Sequence, residues 1–207
     1  WVPGTSTSTI FSTVSGGTVA AANPGSADVI VIENGITLTV NGTGTISALT
    51  FPDPGKQGNS TEALVINTGF TLTVTGAITQ TASTKGIDDI TISGGGTLIA
   101  GSLVMNTIAA PGGSTSSTAS LTSTLTTFTI NGNATVNSTI NASGNKVINS
   151  TLTITSGTFT VNGTLSTVNA DITNTTAIIL GNTNPTLKLG GATPISLSAT
   201  GSSTLTF

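Results

Sequence analysis

Gly35-Ile36-Thr37-Leu38-Thr39-Val40-Asn41-Gly42 is the stretch on which the reading of this 207-residue chain turns. Ile36, Leu38 and Val40 alternate with Thr37 and Thr39, the period of two that marks a β-strand with one face buried and the other in water. Threonine suits the wet face, because its β-branch favours extended backbone and its hydroxyl wets the surface without charge. The same pattern returns as Gly69-Phe70-Thr71-Leu72-Thr73-Val74-Thr75-Gly76 and as Gly157-Thr158-Phe159-Thr160-Val161-Asn162-Gly163. Looser copies surround Leu98, Phe128 and Leu187.

The central apolar residues Leu38, Leu72, Leu98, Phe128, Phe159 and Leu187 are separated by about 26 to 34 residues, a spacing typical of solenoid repeats. Most copies follow a second strand-like run (29–32, 64–66, 90–92, 152–154, 178–180), and many precede a third (46–51, 103–105, 136–140, 165–168, 195–197). Glycine and asparagine at the ends of the runs supply the positive-φ conformations that sharp corners need. The pattern predicts an all-β chain, a parallel β-solenoid (β-helix) of about six coils, with the six central residues stacked in one ladder. Residues 1–25, irregular and carrying Pro3, Gly16-Gly17 and Pro24, are expected to form an N-terminal cap or connecting arm, and 26–207 the repeat domain. The alternative is an antiparallel β-sandwich, pilin-like, because Asn34-Gly35 between two apolar runs is a strong hairpin signal. Residues 52–60 and 111–117, rich in Pro, Gly and Ser, read as surface loops.

Composition narrows the function. Serine and threonine make up about a third of the chain, charged residues 5% and aromatics 3%. Recurrent Val, Ile and Leu argue against disorder. The net charge is −3, and with no arginine and only Lys56, Lys85, Lys146 and Lys188 there is no basic stripe for nucleic acid. No apolar run reaches the roughly 18 residues of a membrane helix, so no helical membrane span is expected. Without cysteine there is no disulfide framework and no thiolate, so packing and backbone pairing must supply the stability. The start at Trp1, with Met105 the only methionine, predicts a processed secretory product.

The chemistry of an active site is thin. The chain has no histidine, arginine or tyrosine, and its acids are Asp28, Glu33, Asp53, Glu62, Asp88, Asp89 and Asp171. Asp88-Asp89 is the one sequence pair, and neighbours on a strand point to opposite faces, so the pair does not converge on one atom. It reads as a solvated turn before Ile90. Serines lack an activating base, and the Asp-rich calcium repeat is missing. No catalytic residue, metal ligand or cofactor is assigned. With so few titrating groups, stability is expected to vary little between mildly acidic and neutral pH. Asn-x-Ser/Thr acceptors for glycosylation occur at Asn41, Asn59, Asn133, Asn137, Asn141, Asn149, Asn162 and Asn174, with Asn59 favoured because it falls on an expected loop.

Trp1, Gly16-Gly17, Pro24, residues 28–32 and 35–40, and Leu49-Thr50-Phe51 together resemble the start of β-solenoid repeat regions of secreted bacterial surface proteins. The likeness extends over most of the chain. It implies an extracellular or cell-surface setting and a structural, non-enzymatic part: filament subunit, stalk or adhesin. A second resemblance, to thread-like pilins joined by strand exchange, rests on composition. Six coils at about 4.8 Å each would make a rod roughly 25–30 Å long. The C-terminal run Ser203-Thr204-Leu205-Thr206-Phe207 alternates like a strand. Open edges template pairing with other chains. Partners are therefore expected to be copies of the chain or neighbouring domains, end to end, with Leu205 and Phe207 on one side of the joint and Ile10, Phe11 and Val14 on the other. The rival expectation is a module for surface glycans, for which Trp1 and Phe51 are the candidate exposed aromatics.

Overall fold

The computed structural model describes residue 11 and residues 23–52, 58–81, 86–105, 117–137, 139–140, 147–154, 158–161, 164–168, 170–174, 177–180, 186–190, 197–199 and 204–206. Side-chain surroundings are described within residues 11 to 135. Among the described residues the chain forms strands and no helix. This follows from segments built of threonine and branched aliphatics at a period of two, too short and too β-branched for helix.

The strands begin with β1 (Val29–Val31), β2 (Thr37–Val40), β3 (Gly44–Ile46), β4 (Ala48–Phe51), β5 (Gly58–Ile66), β6 (Thr71–Gln80) and β7 (Gly86–Ser93). Next come β8 (Thr97–Met105), β9 (Ser117–Ser123), β10 (Thr127–Ile130), β11 (Ala134–Asn137), β12 (Thr139–Ile140) and β13 (Val147–Ile154). The series ends with β14 (Thr158–Val161), β15 (Thr164–Val168), β16 (Ala170–Asn174), β17 (Ala177–Leu180), β18 (Thr186–Gly190), β19 (Leu197–Ala199) and β20 (Thr204–Thr206). They make one 12-stranded and one 8-stranded sheet, both open. Every pairing is parallel except that of the two-residue β12 with β13.

Three ladders organise these sheets. The first contains β1, β4, the C-terminal halves of β6 and β8, β11, β15 and β18. The second, which is the 8-stranded sheet without β12, contains β2, β5, β7, β9, β13, β16 and β19. The third contains β3, the N-terminal halves of β6 and β8, β10, β14, β17 and β20. The first and third share the 12-stranded sheet because β6 and β8 run through both, with a register shift between Val74 and Ala77 where β6 turns from one to the other. The chain visits the ladders in the fixed order first, second, third, and each strand lands beside the one laid down a round earlier. Leu72 thus pairs with Leu98, Leu98 with Phe128, and Phe128 with Phe159.

Alternation decides what is buried. In β6 and β8 the apolar positions Leu72, Val74, Ile78, Leu98, Ala100, Leu103 and Met105 are fully buried, while Thr73 and Thr79 of β6 and Ile99 and Val104 of β8, at the alternate positions, are half-buried on the outer side. With Leu38, Val40, Leu64, Ile66, Ile90, Ile92, Leu121 and Phe128 they form one cluster filled from all three ladders. Each fully buried Leu, Ile or Val contributes about 1.5–3 kcal/mol relative to exposure. Stacking at one repeat per round packs like against like, so no strand needs a special partner.

Three expectations are corrected. The expected ladder holds in the middle, where Leu72, Leu98, Phe128 and Phe159 share one column, but Leu38 pairs with Leu64 in the second ladder and Leu187 with Leu165 in the first. All three ladders carry the same apolar–threonine alternation, so the phase of a run is set by connection lengths, which differ at the two ends. The antiparallel alternative fails at Asn34-Gly35: β1 pairs with β4 and β2 with β5, each parallel and in different sheets, so the turn joins ladders instead of closing a hairpin. Strand β5 starts at Gly58, so residues 58–60 of the expected loop are paired with β7; residues 53–57 and 111–116 lie outside the described residues.

Glycine serves two purposes. Gly35, Gly69 and Gly94 have φ of 77°, 84° and 110°, the left-handed conformation expected at corners. Gly76, Gly101 and Gly132 serve another, at the corner between the third and first ladders. Gly76 N donates to Ser47 O at 2.8 Å and Gly132 N to Gly101 O at 2.7 Å, so the corners stack backbone on backbone. A Cβ on Gly76 would lie 2.7 Å from Ser47 O, and one on Gly132 2.6 Å from Gly101 O. These glycines are required for close approach, not for φ.

Candidate functional site

The ladders end in open edges. Among the described strands, β1, β2 and β3 each pair on one side only, with β4, β5 and β6; at the other end β18, β19 and β20 pair only with β15, β16 and β17. An unpaired parallel edge presents a row of N–H and C=O groups spaced to receive another strand. The exposed large apolar side chains among the described residues, Val29 (57%), Val31 (52%) and Ile36 (52%), lie in β1 and just before β2. Val31 shares a register column with Thr50 and Thr79, which are half-buried on the outer side of the first ladder.

The residues expected at the joint are only partly placed. Phe11 is half-buried and packs against the core cluster. Leu205 lies in β20, opposite Ile178 and at the end of the column containing Leu72, Leu98, Phe128 and Phe159. Ile10, Val14 and Phe207 lie outside the described residues, as does nearly all of the 1–25 segment. Phe51 is fully buried and is no aromatic platform for a glycan, because it occupies a core position of β4 opposite Gln80. Trp1 lies outside the described residues.

Of the glycosylation acceptors, Asn41 is exposed and its Oδ1 accepts from Asn67 Nδ2 at 2.5 Å. Asn133 is exposed, and its carbonyl accepts from Leu103 N at 3.0 Å. Asn59 lies in β5 opposite Ile87 rather than on a loop; Asn137, Asn149 and Asn174 lie in β11, β13 and β16. Asn141 and Asn162 are outside the described residues.

Polar groups enter the core at places the sequence reading did not single out. Glu62, Gln80 and Ser123 are buried. Glu62 continues the column of Ile90 and Leu121, and Gln80 stands between Phe51 and Met105. Gln80 Nε2 donates to Ser120 O at 3.3 Å, tying the first ladder to the second. The Ser120 hydroxyl donates in turn to Asp89 Oδ1, its register neighbour. Asp88 and Asp89 therefore belong to strand β7 and not to a solvated turn, because β5 and β9 pair with that segment on both sides. The missed signal was the period itself: Glu62 lies two residues before Leu64 and Gln80 two after Ile78, on the buried parity. Among the described residues no three of His, Cys, Asp and Glu are grouped to hold a metal ion.

No family model matches the chain. No curated protein and no solved structure matches it either.

Proposed function

We propose that the strands are rounds of a parallel β-solenoid and that the chain is a structural, non-enzymatic protein of the cell exterior, a filament subunit or adhesin stalk. Copies or neighbouring domains meet end to end through strand edges. The observation that supports this is the continuity of the three parallel ladders from β1 to β20, each stepping on by one strand per round and ending in an open edge. Seven strands per ladder at about 4.8 Å make a rod roughly 30–35 Å long, a length useful when repeated.

Electron microscopy of the purified protein across a concentration series, with sedimentation of the same samples, tests the proposal. Threads of uniform width are expected, and removal of residues 203–207 should leave a folded chain that no longer forms them. A chain that stays monomeric at the highest concentration would refute the reading.

A further inference from the structure

Three free strand edges bound the described fold on each side, and their order decides what fits them. The final strands, β18, β19 and β20, belong to the first, second and third ladders in that order, and the opening strands, β1, β2 and β3, to the same ladders in the same order. A body laid on β18, β19 and β20 must therefore offer three parallel strands arranged as first, second and third ladder. The opening edge of a second copy offers that arrangement, and a chain entering at β1 continues the cycle after β20 without skipping or doubling a ladder. Two opening edges brought together would instead run antiparallel, unlike the parallel contact that joins every round inside the chain.

Resting on the end-to-end reading above, we propose that the joint is head to tail and three-stranded, with β18 of one copy pairing in parallel with β1 of the next, β19 with β2, and β20 with β3. It continues the round-to-round interface already present, so the same backbone bonds form across it. In the first ladder one register column runs Val31, Thr50, Thr79, Val104, Thr135, Ser166, Lys188. The joint places Val31 of the next copy beside Lys188. The 52% exposure of Val31, in a column where Thr50, Thr79, Val104 and Thr135 are half-buried, marks the place where the next strand is laid.

The chain has no cysteine, which makes the test direct. Cα atoms on adjacent paired strands are about 4.8 Å apart, within disulfide range. Val31→Cys, Lys188→Cys and the double variant are each assembled and oxidised, then separated on a denaturing non-reducing gel. The double variant should give a ladder of covalent multimers. A mixture of the two single variants should give dimers, and either single variant alone should stay monomeric. Dimers from Val31→Cys alone would overturn the polarity in favour of two opening edges meeting. Threads that form without a Val31–Lys188 crosslink would overturn this joint while leaving the end-to-end reading intact, whereas unsubstituted protein that forms no threads would overturn both.

Discussion

Gly101→Ala separates the two jobs of glycine in this fold. A Cβ at Gly101 would collide with Thr75 O and come within 2.8 Å of Gly76 O, and both are backbone atoms of the preceding round. They cannot turn aside as a flexible side chain would, because Gly76 N is bonded to Ser47 O and the strands on either side are locked in register. Moving Gly101 outward instead stretches the bonds that Asn131 and Gly132 make to Ala100 O and Gly101 O, each at 2.7 Å. Overpacking of this kind costs about 1–3 kcal/mol, and each weakened hydrogen bond adds up to about 1 kcal/mol. Alanine recovers only about 0.4–1 kcal/mol by restricting the unfolded chain. The net expectation is a loss of about 1–3 kcal/mol, a melting point lower by roughly 2–12 °C for a domain of this size. Gly25→Ala is the control: its Cβ would meet nothing closer than Asp28 Oδ2 at 4.0 Å, so it should melt at or slightly above the parent. Gly35→Ala, with open space but φ of 77°, should fall between them, about 1–2 kcal/mol down. Thermal melts by circular dichroism, with urea titrations to check an unchanged slope, give the ranking. If Gly101→Ala melted with Gly25→Ala, the stacked glycine corner would be wrong.

Leu98→Ala, which hollows the column between Leu72 and Phe128, should cost about 2–5 kcal/mol in urea unfolding; a loss below about 1 kcal/mol would mean the core collapses around the gap. Leu72→Asp places an unpaired charge in the same column and should leave no folded protein, which far-ultraviolet circular dichroism would register as lost strand signal. Ser120→Ala removes the hydroxyl that donates to Asp89 and should cost about 1–2 kcal/mol, and Asp89→Ala in the same background should add little; additive losses would show that the two side chains are not coupled.

The sequence made the strand class and the middle of the fold legible, because the period of two and the spacing of Leu72, Leu98, Phe128 and Phe159 survive in the pairing unchanged. It misled at the ends. The runs around Leu38 and Leu187 look like the central ones since all ladders bury one parity and wet the other, and nothing local says which ladder a run joins. The stacked corners were hidden for a different reason: Gly76 and Gly101 read like turn glycines, and the carbonyls that exclude a Cβ belong to residues a full round away. Glu62 and Gln80 keep the buried parity of their strands, so burial beside Ile90 and Met105 follows from position alone, although neither residue type signals it. At the strand edges, Leu205 could be expected in a strand, but its column partner could not, because that depends on how many residues each connection holds.

The parallel step from round to round has a consequence for how the chain acquires its structure. Each strand waits only for the one a round away, some 19 to 31 residues along in the third ladder between Leu72 and Ile178, so closing each new contact costs the same modest loop entropy however long the stack grows. Folding then resembles growth of a one-dimensional crystal, with a costly first nucleus and near-equal increments afterwards, and it can begin at any round. A single break, such as a proline set into β8, would divide the stack into two cooperative blocks that unfold separately, each keeping the stability of its own rounds.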